Sequence, residues 1–468
     1  MADEFSSLTR RQFGITLAAA TAAASMPAAE SSEAGPWSAP AIVKKVYIGV
    51  ANPTWPRPDL DIKKEIAGID ARLAELERKH AGLVRFTGGE WLKDTAEVEA
   101  WIKDLSGADA VLVLDLTSST GALLQPFDKL DVPKLLFTRP ITGWSFIDGA
   151  RWIQLGLKGD MVASSRFEDL APHLPLLRAV HHLRNSKILV ITTNEKRAAA
   201  AAAGYTTQFG TQFAFPTYQE LKAAYEAMDP KQAEQEAAEL RRKALKVVEP
   251  SAADLRDASR FHLAVVAFLR QYQANAITID CLGGFRRGDL PAYPCVAWSK
   301  LNDRGMYGVC EADLPSTMTQ LLVTGYSGKP GFVSDPTFDV STNDVIHAHC
   351  VSATRLHGKD APPSPYILRS HMEDNKGVSM QVKMPEAETI TCGKFREPKT
   401  FLVSTGRVTA NVDSARGCRT KIVTRVSDAR KMVEGYTGGL HRVIFYGDHV
   451  EPIERMGRLM SFKVIREV

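Results

Sequence analysis

The sequence predicts an α/β fold made of two doubly wound units followed by a β-rich C-terminal domain. Apolar strand-like runs alternate with amphipathic helices over about residues 43–165, the pattern of a parallel sheet covered by helices. The same alternation returns near residue 185 in a more helical form. From about residue 366 the segments become short, alternating and turn-bounded, which favours an antiparallel sheet or small barrel. The expected domains are 36–175 (N-terminal α/β), 176–345 (second α/β, carrying the acidic site residues) and 346–468 (β-rich).

The first unit begins with a strand over 43–50 and a charged helix over 60–80. Apolar residues recur along that helix at helical spacing, which indicates one buried face. The run AVLVL over 110–114 is continuously apolar, as in a strand buried on both faces, and 134–137 repeats the pattern. These segments predict a parallel sheet.

The second unit combines strands over 187–192 and 276–280 with several helices. Thr217 and Ser251 precede two of the helices and are good N-cap residues. No G-x-G-x-x-G, P-loop or G-x-S-x-G motif lies between a strand and a helix. A dinucleotide site, a phosphate cradle and a nucleophile elbow are therefore unsupported. The expected helices are 198–203, 218–228, 232–247 and 251–273.

The C-terminal part is predicted to form short strands that give way to helices and strands at the very end of the chain. Both predictions rest on the spacing of apolar residues, which changes along this part of the sequence. The expected strands are 365–369, 378–384, 389–391, 400–404, 408–412 and 420–424, then a helix over 428–436, a strand over 442–446, a helix over 451–459 and a strand over 463–467.

Composition describes an ordinary globular protein. The chain has 468 residues, 44% of them hydrophobic and 24% charged, and a formal net charge of +4. Since no Lys/Arg block accompanies this small charge, we expect no nucleic-acid partner. Six cysteines occur without a C-x-x-C motif, so buried free thiols are expected; a Cys392–Cys418 bridge stays open.

The N-terminus carries a twin-arginine pattern, Thr9-Arg10-Arg11-Gln12-Phe13, followed by a short alanine-rich run. This predicts a Tat signal peptide and linker over 1–35, export by the Tat machinery and a periplasmic or secreted protein. The alternative is a tail with a chance arginine pair.

Acids and imidazoles concentrate between Gly308 and Arg355. Glu311 and Asp335 are followed by His347 and His349, which alternate along one predicted strand and so share a face. Carboxylates combined with imidazole suit divalent metals such as Mn²⁺, Fe²⁺ or Zn²⁺. The sequence therefore predicts a metal site in this stretch.

Four motifs together resemble the L-fucose isomerase and L-arabinose isomerase superfamily. They are Glu311 in C-E-A-D, Asp335 in F-V-S-D, His349 in V-I-H-A-H-C and His441 in G-L-H-R-V-I-F-Y-G-D-H, and they span about 270–468. The resemblance implies a C-terminal domain of fucose-isomerase type, a bound Mn²⁺ and a homo-oligomer. It implies Glu311 and Asp335 as metal ligands that also move the proton, with His441 and His349 as further ligands.

Simpler interpretations of these residues remain open. Glu311 can be a surface acid favoured by a helix N-terminus, and Asp335 can be a turn residue before proline. Either histidine of the 347/349 pair can be the ligand, or both can be core residues, and His449 is an alternative to His441. A second polar cluster suggests sugar binding, or a solvated loop, by His371, Lys376 and Arg419.

The leading functional hypothesis is a metal-dependent sugar isomerase acting by enediol proton transfer. Such chemistry needs a carboxylate base and a Lewis acid. An exported glycoside hydrolase or lyase with the same fold is the alternative, because two carboxylates serve that chemistry as well. A periplasmic sugar-binding protein is the third. The expected partner is a small-molecule sugar or glycoside.

Overall fold

A five-stranded parallel sheet forms the N-terminal part of the computed structural model, which describes residues 35–468. The strand order is 2-1-3-4-5, and every neighbouring pair is parallel. This confirms the first predicted doubly wound sheet. The strands are β1 (Ala41–Ile48), β2 (Val84–Leu92), β3 (Ala110–Asp115), β4 (Lys134–Thr138) and β5 (Gly159–Ala163).

Helices connect these strands as the periodicity predicts. Asp61 caps the first helix by accepting a hydrogen bond from the Lys64 amide, and Ile69 and Leu73 on its inner face are buried. The predicted helix over 60–80 thus spans 62–79. The helices of this unit are α1 (Ile62–Lys79), α2 (Thr95–Trp101), α3 (Gly121–Leu124) and α4 (Phe146–Gln154), with short 3₁₀ turns at Pro36–Ser38, Gln125–Lys129 and Phe167–His173.

A second parallel sheet follows, with four strands in the order β10-β9-β6-β7. Thr217 and Ser251 form complete capping boxes, as their positions predict. The helix expected over 232–247 ends earlier, and residues 246–247 instead form a strand of another sheet. The strands are β6 (Lys187–Ile191), β7 (Gln212–Ala214), β8 (Lys246–Val247, in the other sheet), β9 (Ala276–Ile279) and β10 (Tyr307–Cys310).

Helices make up most of the second unit. They are α5 (Leu174–Asn185), α6 (Glu195–Phe209), α7 (Tyr218–Glu226), α8 (Pro230–Lys243), α9 (Ala252–Tyr272), α10 (Cys281–Arg287), α11 (Cys295–Asp303) and α12 (Leu314–Ser327).

None of the helices in residues 35–468 has the length and apolar character needed to cross a bilayer. The twin-arginine stretch lies outside the described residues.

The C-terminal part is a closed antiparallel barrel rather than an open sheet. Six strands pair around the ring in the order β11-β12-β17-β16-β15-β18 and return to β11, while β19 adds to β16 in parallel. A small separate sheet has the order β14-β13-β8. The strands are β11 (Phe332–Asp339), β12 (Asp344–His349), β13 (Tyr366–Arg369), β14 (Ser379–Val382), β15 (Thr389–Glu397), β16 (Thr400–Asn411), β17 (Thr420–Arg425), β18 (Arg442–Tyr446) and β19 (Lys463–Arg466).

The helix, strand, helix and strand expected at the chain end are all formed, with β18 pairing antiparallel with β11 and β15 inside the barrel. One sequence expectation for this region needs correction. The expected boundary between 345 and 346 falls inside β12, so Asp335 on β11 belongs to the barrel sheet. The helices among these strands are α13 (Ala429–Glu434) and α14 (Val450–Met460).

Helix α12 joins the second parallel sheet to the barrel. It packs against α5 and α6 on one side and against β15 and β18 on the other, so almost every residue from Leu314 to Thr324 is buried. This packing fixes the position of α12, and it therefore also fixes the segment that directly precedes the helix. That segment contains Glu311 and Asp313.

Candidate metal centre

The candidate centre lies where the carboxyl end of β10 meets the barrel. Glu311 follows β10 directly, Asp335 lies on β11, His349 ends β12 and His441 immediately precedes β18. Ligands of α/β proteins commonly bind at the carboxyl ends of parallel strands. Here the barrel supplies the opposite wall of that site.

A strained turn presents the Glu311 side chain. Glu311 and the next residue, Ala312, both have left-handed backbone conformations, with φ of 66° and 51°. Such conformations cost non-glycine residues about 1–2 kcal/mol each, and they concentrate at functional sites. The turn is held by a 2.9 Å hydrogen bond from the Ala312 amide to the Ile279 carbonyl. The conformation of Glu311 is thus imposed by its surroundings.

Glu311, His349 and His441 form a group able to hold a metal ion, with one ligand atom from each lying within 4.8 Å of the others. His441 Nε2 is 3.5 Å from Glu311 Oε2, and His349 Nε2 is 3.8 Å from Glu311 Oε1. Asp335 borders this triad, its Oδ1 atom lying 3.3 Å from His441 Nε2. All four residues named from the sequence therefore meet at one place.

Asp313 and Lys394 support His441 from behind. Asp313 Oδ2 accepts hydrogen bonds from His441 Nδ1 at 2.7 Å and from Lys394 Nζ at 2.8 Å. The Asp313 side chain also caps α12, its Oδ1 accepting from the Ser316 amide at 3.1 Å. A histidine held in this way at Nδ1 directs Nε2 towards the centre, the arrangement usual for metal-ligating histidines.

The acids around His441 favour its charged form. Burial alone would lower the pKa of His441, but its interactions with Asp313 and then Asp335 outweigh burial and raise the pKa to about 9. Burial has the opposite effect on a carboxyl group and would raise the pKa of Asp313, yet His441 and Lys394 hold that pKa well below its usual range. Asp335 behaves in the same way, with His441 and His349 lowering its pKa. The cluster thus carries surplus negative charge around one imidazolium.

The donor atoms fit a metal ion. Asp335 Oδ1 and His441 Nε2 are both buried, and their 3.3 Å approach lacks hydrogen-bond geometry, so neither has a hydrogen-bond partner. Buried polar atoms without partners are rare and call for an explanation. A divalent cation satisfies both, replaces the His441 proton and neutralises the carboxylates.

The centre is open on its acidic side. Both imidazoles are buried, whereas the Glu311 and Asp335 side chains are 35% and 31% exposed. A cavity of about 10 Å³ borders His349 on the inner side, close to the smallest volume that holds a water molecule. A larger molecule therefore has access from solvent and from the carboxylate side.

His347 and His449 take structural positions. His347 lies between hydroxyls, with Ser334 Oγ 3.0 Å from Nδ1 and Thr424 Oγ1 3.0 Å from Nε2. His449 Nε2 lies 3.1 Å from the Tyr446 carbonyl, just before α14. Of each pair of alternatives left open by the sequence, His349 and His441 are therefore the members at the centre.

The residues suggested for sugar binding lie outside the triad. Arg419 is buried and donates to the Ser370 carbonyl, the Ser370 hydroxyl and Asn375 Oδ1. His371 is buried and stacks on Tyr293 with ring centroids 4.6 Å apart. Lys376 is exposed on a turn closed by its own carbonyl, which accepts from the His371 amide. The described contacts link none of these three to the triad.

The six cysteines are all free thiols, so the bridge between Cys392 and Cys418 is not formed. Cys392 is buried inside the barrel on β15, whereas Cys418 lies before β17 and interacts with Cys350.

Comparison with known proteins assigns no family to this chain. Neither a scan of the chain against protein-family models nor a search of curated proteins finds a match. The resemblance to sugar isomerases therefore rests on the four motifs alone.

Sequence reasoning missed Asp313 and Lys394 as parts of the site. The sequence does contain a signal for Lys394. Along β15 this lysine lies on the same face as Ile390 and Cys392, because alternate residues of a strand share a face, and that face is buried. A buried lysine requires an acidic partner. Asp313 lies two residues after Glu311, but its position as a helix N-cap already accounts for an aspartate there. The sequence therefore does not indicate that it also supports the site.

Proposed function

We propose that this protein is a metal-dependent enzyme that interconverts an aldose and a ketose by proton transfer at the carbon beside the carbonyl. The supporting observation is the open, mixed carboxylate–imidazole group formed by Glu311, His349 and His441, with Asp335 beside it. Closed metal sites serve structure, whereas catalytic sites keep a position for substrate. The partly exposed carboxylates match a catalytic metal site.

Glu311, Asp335, His349 and His441 would hold the cation, and Mn²⁺ suits two carboxylates combined with imidazoles. Bound there, the cation would supply Lewis acidity for the oxygen that becomes negative during enolisation. Asp313 keeps the His441 proton on Nδ1, so Nε2 presents its lone pair to the centre. Lys394 neutralises Asp313 and prevents it from taking a proton.

Glu311 and Asp335 are the two groups suited to moving the proton. Both carboxylates are partly exposed to solvent, at 35% and 31%, and can therefore reach a bound substrate. His441 Nε2 lies 3.5 Å from Glu311 and 3.3 Å from Asp335, so a cation held by His441 would be shared by the two carboxylates. This favours isomerisation over the glycosidase alternative, in which acid and nucleophile flank a sugar directly.

The test combines metal analysis with a proton-exchange assay. The purified protein is stripped with EDTA, reloaded with Mn²⁺, Mg²⁺ or Zn²⁺, and incubated with aldoses and ketoses in D₂O. We expect one equivalent of metal, and deuterium at the carbon beside the carbonyl only in the loaded protein. Asp335→Asn is expected to abolish exchange, while Asp339→Asn, an exposed acid on the same strand, leaves it intact.

Other outcomes would overturn the proposal in distinct ways. Activity confined to glycosides and indifferent to EDTA favours the hydrolase. Sugar-induced thermal stabilisation without exchange favours a binding protein. Failure to retain any divalent metal, with wild-type behaviour of Asp335→Asn, rejects the centre itself.

A further inference from the structure

The cavity of about 10 Å³ that borders His349 lies at the junction between the second parallel sheet and the barrel. Residues of β10, α11, α12, β11 and the end of β12 form its wall. Its volume is close to that needed by a single water molecule. A cavity of this size holds water only where two or more polar groups can bind it.

Two side chains that line this cavity have polar atoms without a hydrogen-bond partner among residues 35–468. Gln320 on α12 is 1% exposed, and both its Nε2 and its Oε1 atoms lack a partner. His349 is 4% exposed, and its Nδ1 atom lacks one as well. The other amide at the cavity, Asn302, is satisfied because its side chain exchanges two hydrogen bonds with the Gly308 backbone. Buried polar atoms without partners are rare, so those of Gln320 and His349 indicate a bound molecule.

The two ring nitrogens of His349 have different surroundings. Nε2 lies 3.8 Å from Glu311 Oε1 and so faces the candidate metal position. A ring nitrogen binds a cation through its lone pair, so the proton of a neutral imidazole must then be on Nδ1. In metal-ligating histidines this N–H donates to a carboxylate, a backbone carbonyl or a water molecule. Asp313 accepts it from His441, whereas no atom of residues 35–468 accepts it from His349.

We propose that a buried water molecule in this cavity links His349 Nδ1 to the side chain of Gln320, which makes Gln320 the positioning residue of His349. The water accepts the hydrogen bond of Nδ1–H and donates one of its own hydrogens to Gln320 Oε1. The imidazole is thereby held with Nε2 towards Glu311. The inference rests on the metal centre proposed above, but neither on the sugar nor on the reaction.

Gln320 is suited to this role because its helix is fixed and its amide is free. Helix α12 is packed between α5 and α6 on one side and the barrel on the other, so the position of Gln320 is set by the fold. Neighbouring hydroxyls on α12 bond to the protein itself: Thr317 donates to the Asp313 carbonyl, and Thr319 donates to the Pro315 carbonyl. The amide of Gln320 offers both a donor and an acceptor that the protein does not use.

The first test is a high-resolution crystal structure of the metal-free full-length protein, so that it does not depend on metal binding. We expect one water molecule about 3 Å from both His349 Nδ1 and Gln320 Oε1. In Gln320→Met, which keeps much of the side-chain length but has no amide, we expect this water to be lost. A dry cavity in the wild type, or a water that remains in Gln320→Met, would overturn the inference.

The second test measures Mn²⁺ affinity by calorimetric titration of the EDTA-treated protein. Gln320→Met is expected to weaken binding about 10-fold, because His349 loses the acceptor chain that orients it. Gln320→Glu keeps an acceptor oxygen at this position and is expected to restore the wild-type affinity. The matched control is Gln208→Met, which removes a buried amide on α6 that donates to the Met460 carbonyl and should leave Mn²⁺ affinity unchanged.

Two affinity results would also overturn the inference. Unchanged binding by Gln320→Met would mean that His349 needs no support from this side. Equal weakening by Gln320→Met and Gln320→Glu would mean that Gln320 contributes packing alone. A wild-type protein that binds no Mn²⁺ would instead contradict the proposed centre, and the metal-free crystal structure would then decide the link between His349 and Gln320 by itself.

Discussion

His441 and Asp313 are joined by a 2.7 Å hydrogen bond between Nδ1 and Oδ2, although they are 128 positions apart in the chain. Asp313 begins α12 at the end of the second parallel sheet, whereas His441 precedes a barrel strand. The bond therefore connects the two halves of the candidate metal centre.

Asp313→Asn is expected to weaken Mn²⁺ binding by about 10- to 100-fold, because the carboxylate that orients and polarises His441 is lost. Asparagine is also a good N-cap, so α12 should still form. Calorimetric titration of the EDTA-treated protein measures the change. Asp428→Asn, at the cap of α13, is the control with unaltered affinity. Equal affinities of wild type and Asp313→Asn would contradict the assigned role.

Lys394→Met is expected to lower the free energy of unfolding by about 3 kcal/mol, because it removes one partner of a buried ion pair. Methionine preserves much of the apolar stem, which limits the effect to the charge. Urea unfolding gives the value. Lys399→Met, on an exposed lysine nearby, should change stability by less than about 0.5 kcal/mol. A similarly small change for Lys394→Met would show that the pair is dispensable.

Ala312→Gly is expected to leave the free energy of unfolding unchanged or to raise it by up to about 1 kcal/mol, since glycine adopts the left-handed conformation without strain. The control is Ala200→Gly on the exposed face of α6, where glycine should cost about 1 kcal/mol. Thermal and urea unfolding compare the two variants. Equal destabilisation of both would mean that Ala312 is not strained.

His182 is expected to make stability depend on pH. It is buried with Nε2 2.8 Å from Tyr307 Oη and Nδ1 3.2 Å from the Trp37 carbonyl. Burial, with help from the Arg178 charge, lowers its pKa to about 4. The unfolded chain takes up the proton near pH 6.5 and the folded chain only near pH 4, so stability is full above pH 6.5 and is lost towards pH 4.

The loss should amount to about 1.4 kcal/mol per pH unit for this residue within that window. His182→Asn should therefore be less stable than wild type at pH 7, and the difference should shrink by pH 5. Urea titrations at both pH values supply the comparison, with His357→Asn at an exposed position as the control. A difference that stays constant with pH would mean that folding does not shift the pKa of His182.

Sequence patterns predicted the local structure well wherever a helix or strand is determined by its own residues. The periodicity of α1, the continuous apolar run of β3 and the capping boxes at Thr217 and Ser251 are examples. The same patterns misplaced the boundary near 345, because β11 and β12 resemble any short strand until their partners are known.

What the sequence determined by itself is the set of residue types for the candidate centre: the acids Glu311 and Asp335, and one imidazole from each of the pairs His347/His349 and His441/His449. Only the tertiary structure decided which histidines reach it and what supports them. Closure of the barrel brings β18 beside β11 and beside β15, which carries Lys394, while α12 brings Asp313 behind His441. The physical reason is that the selection depends on contacts between residues far apart in the chain, which no local pattern encodes.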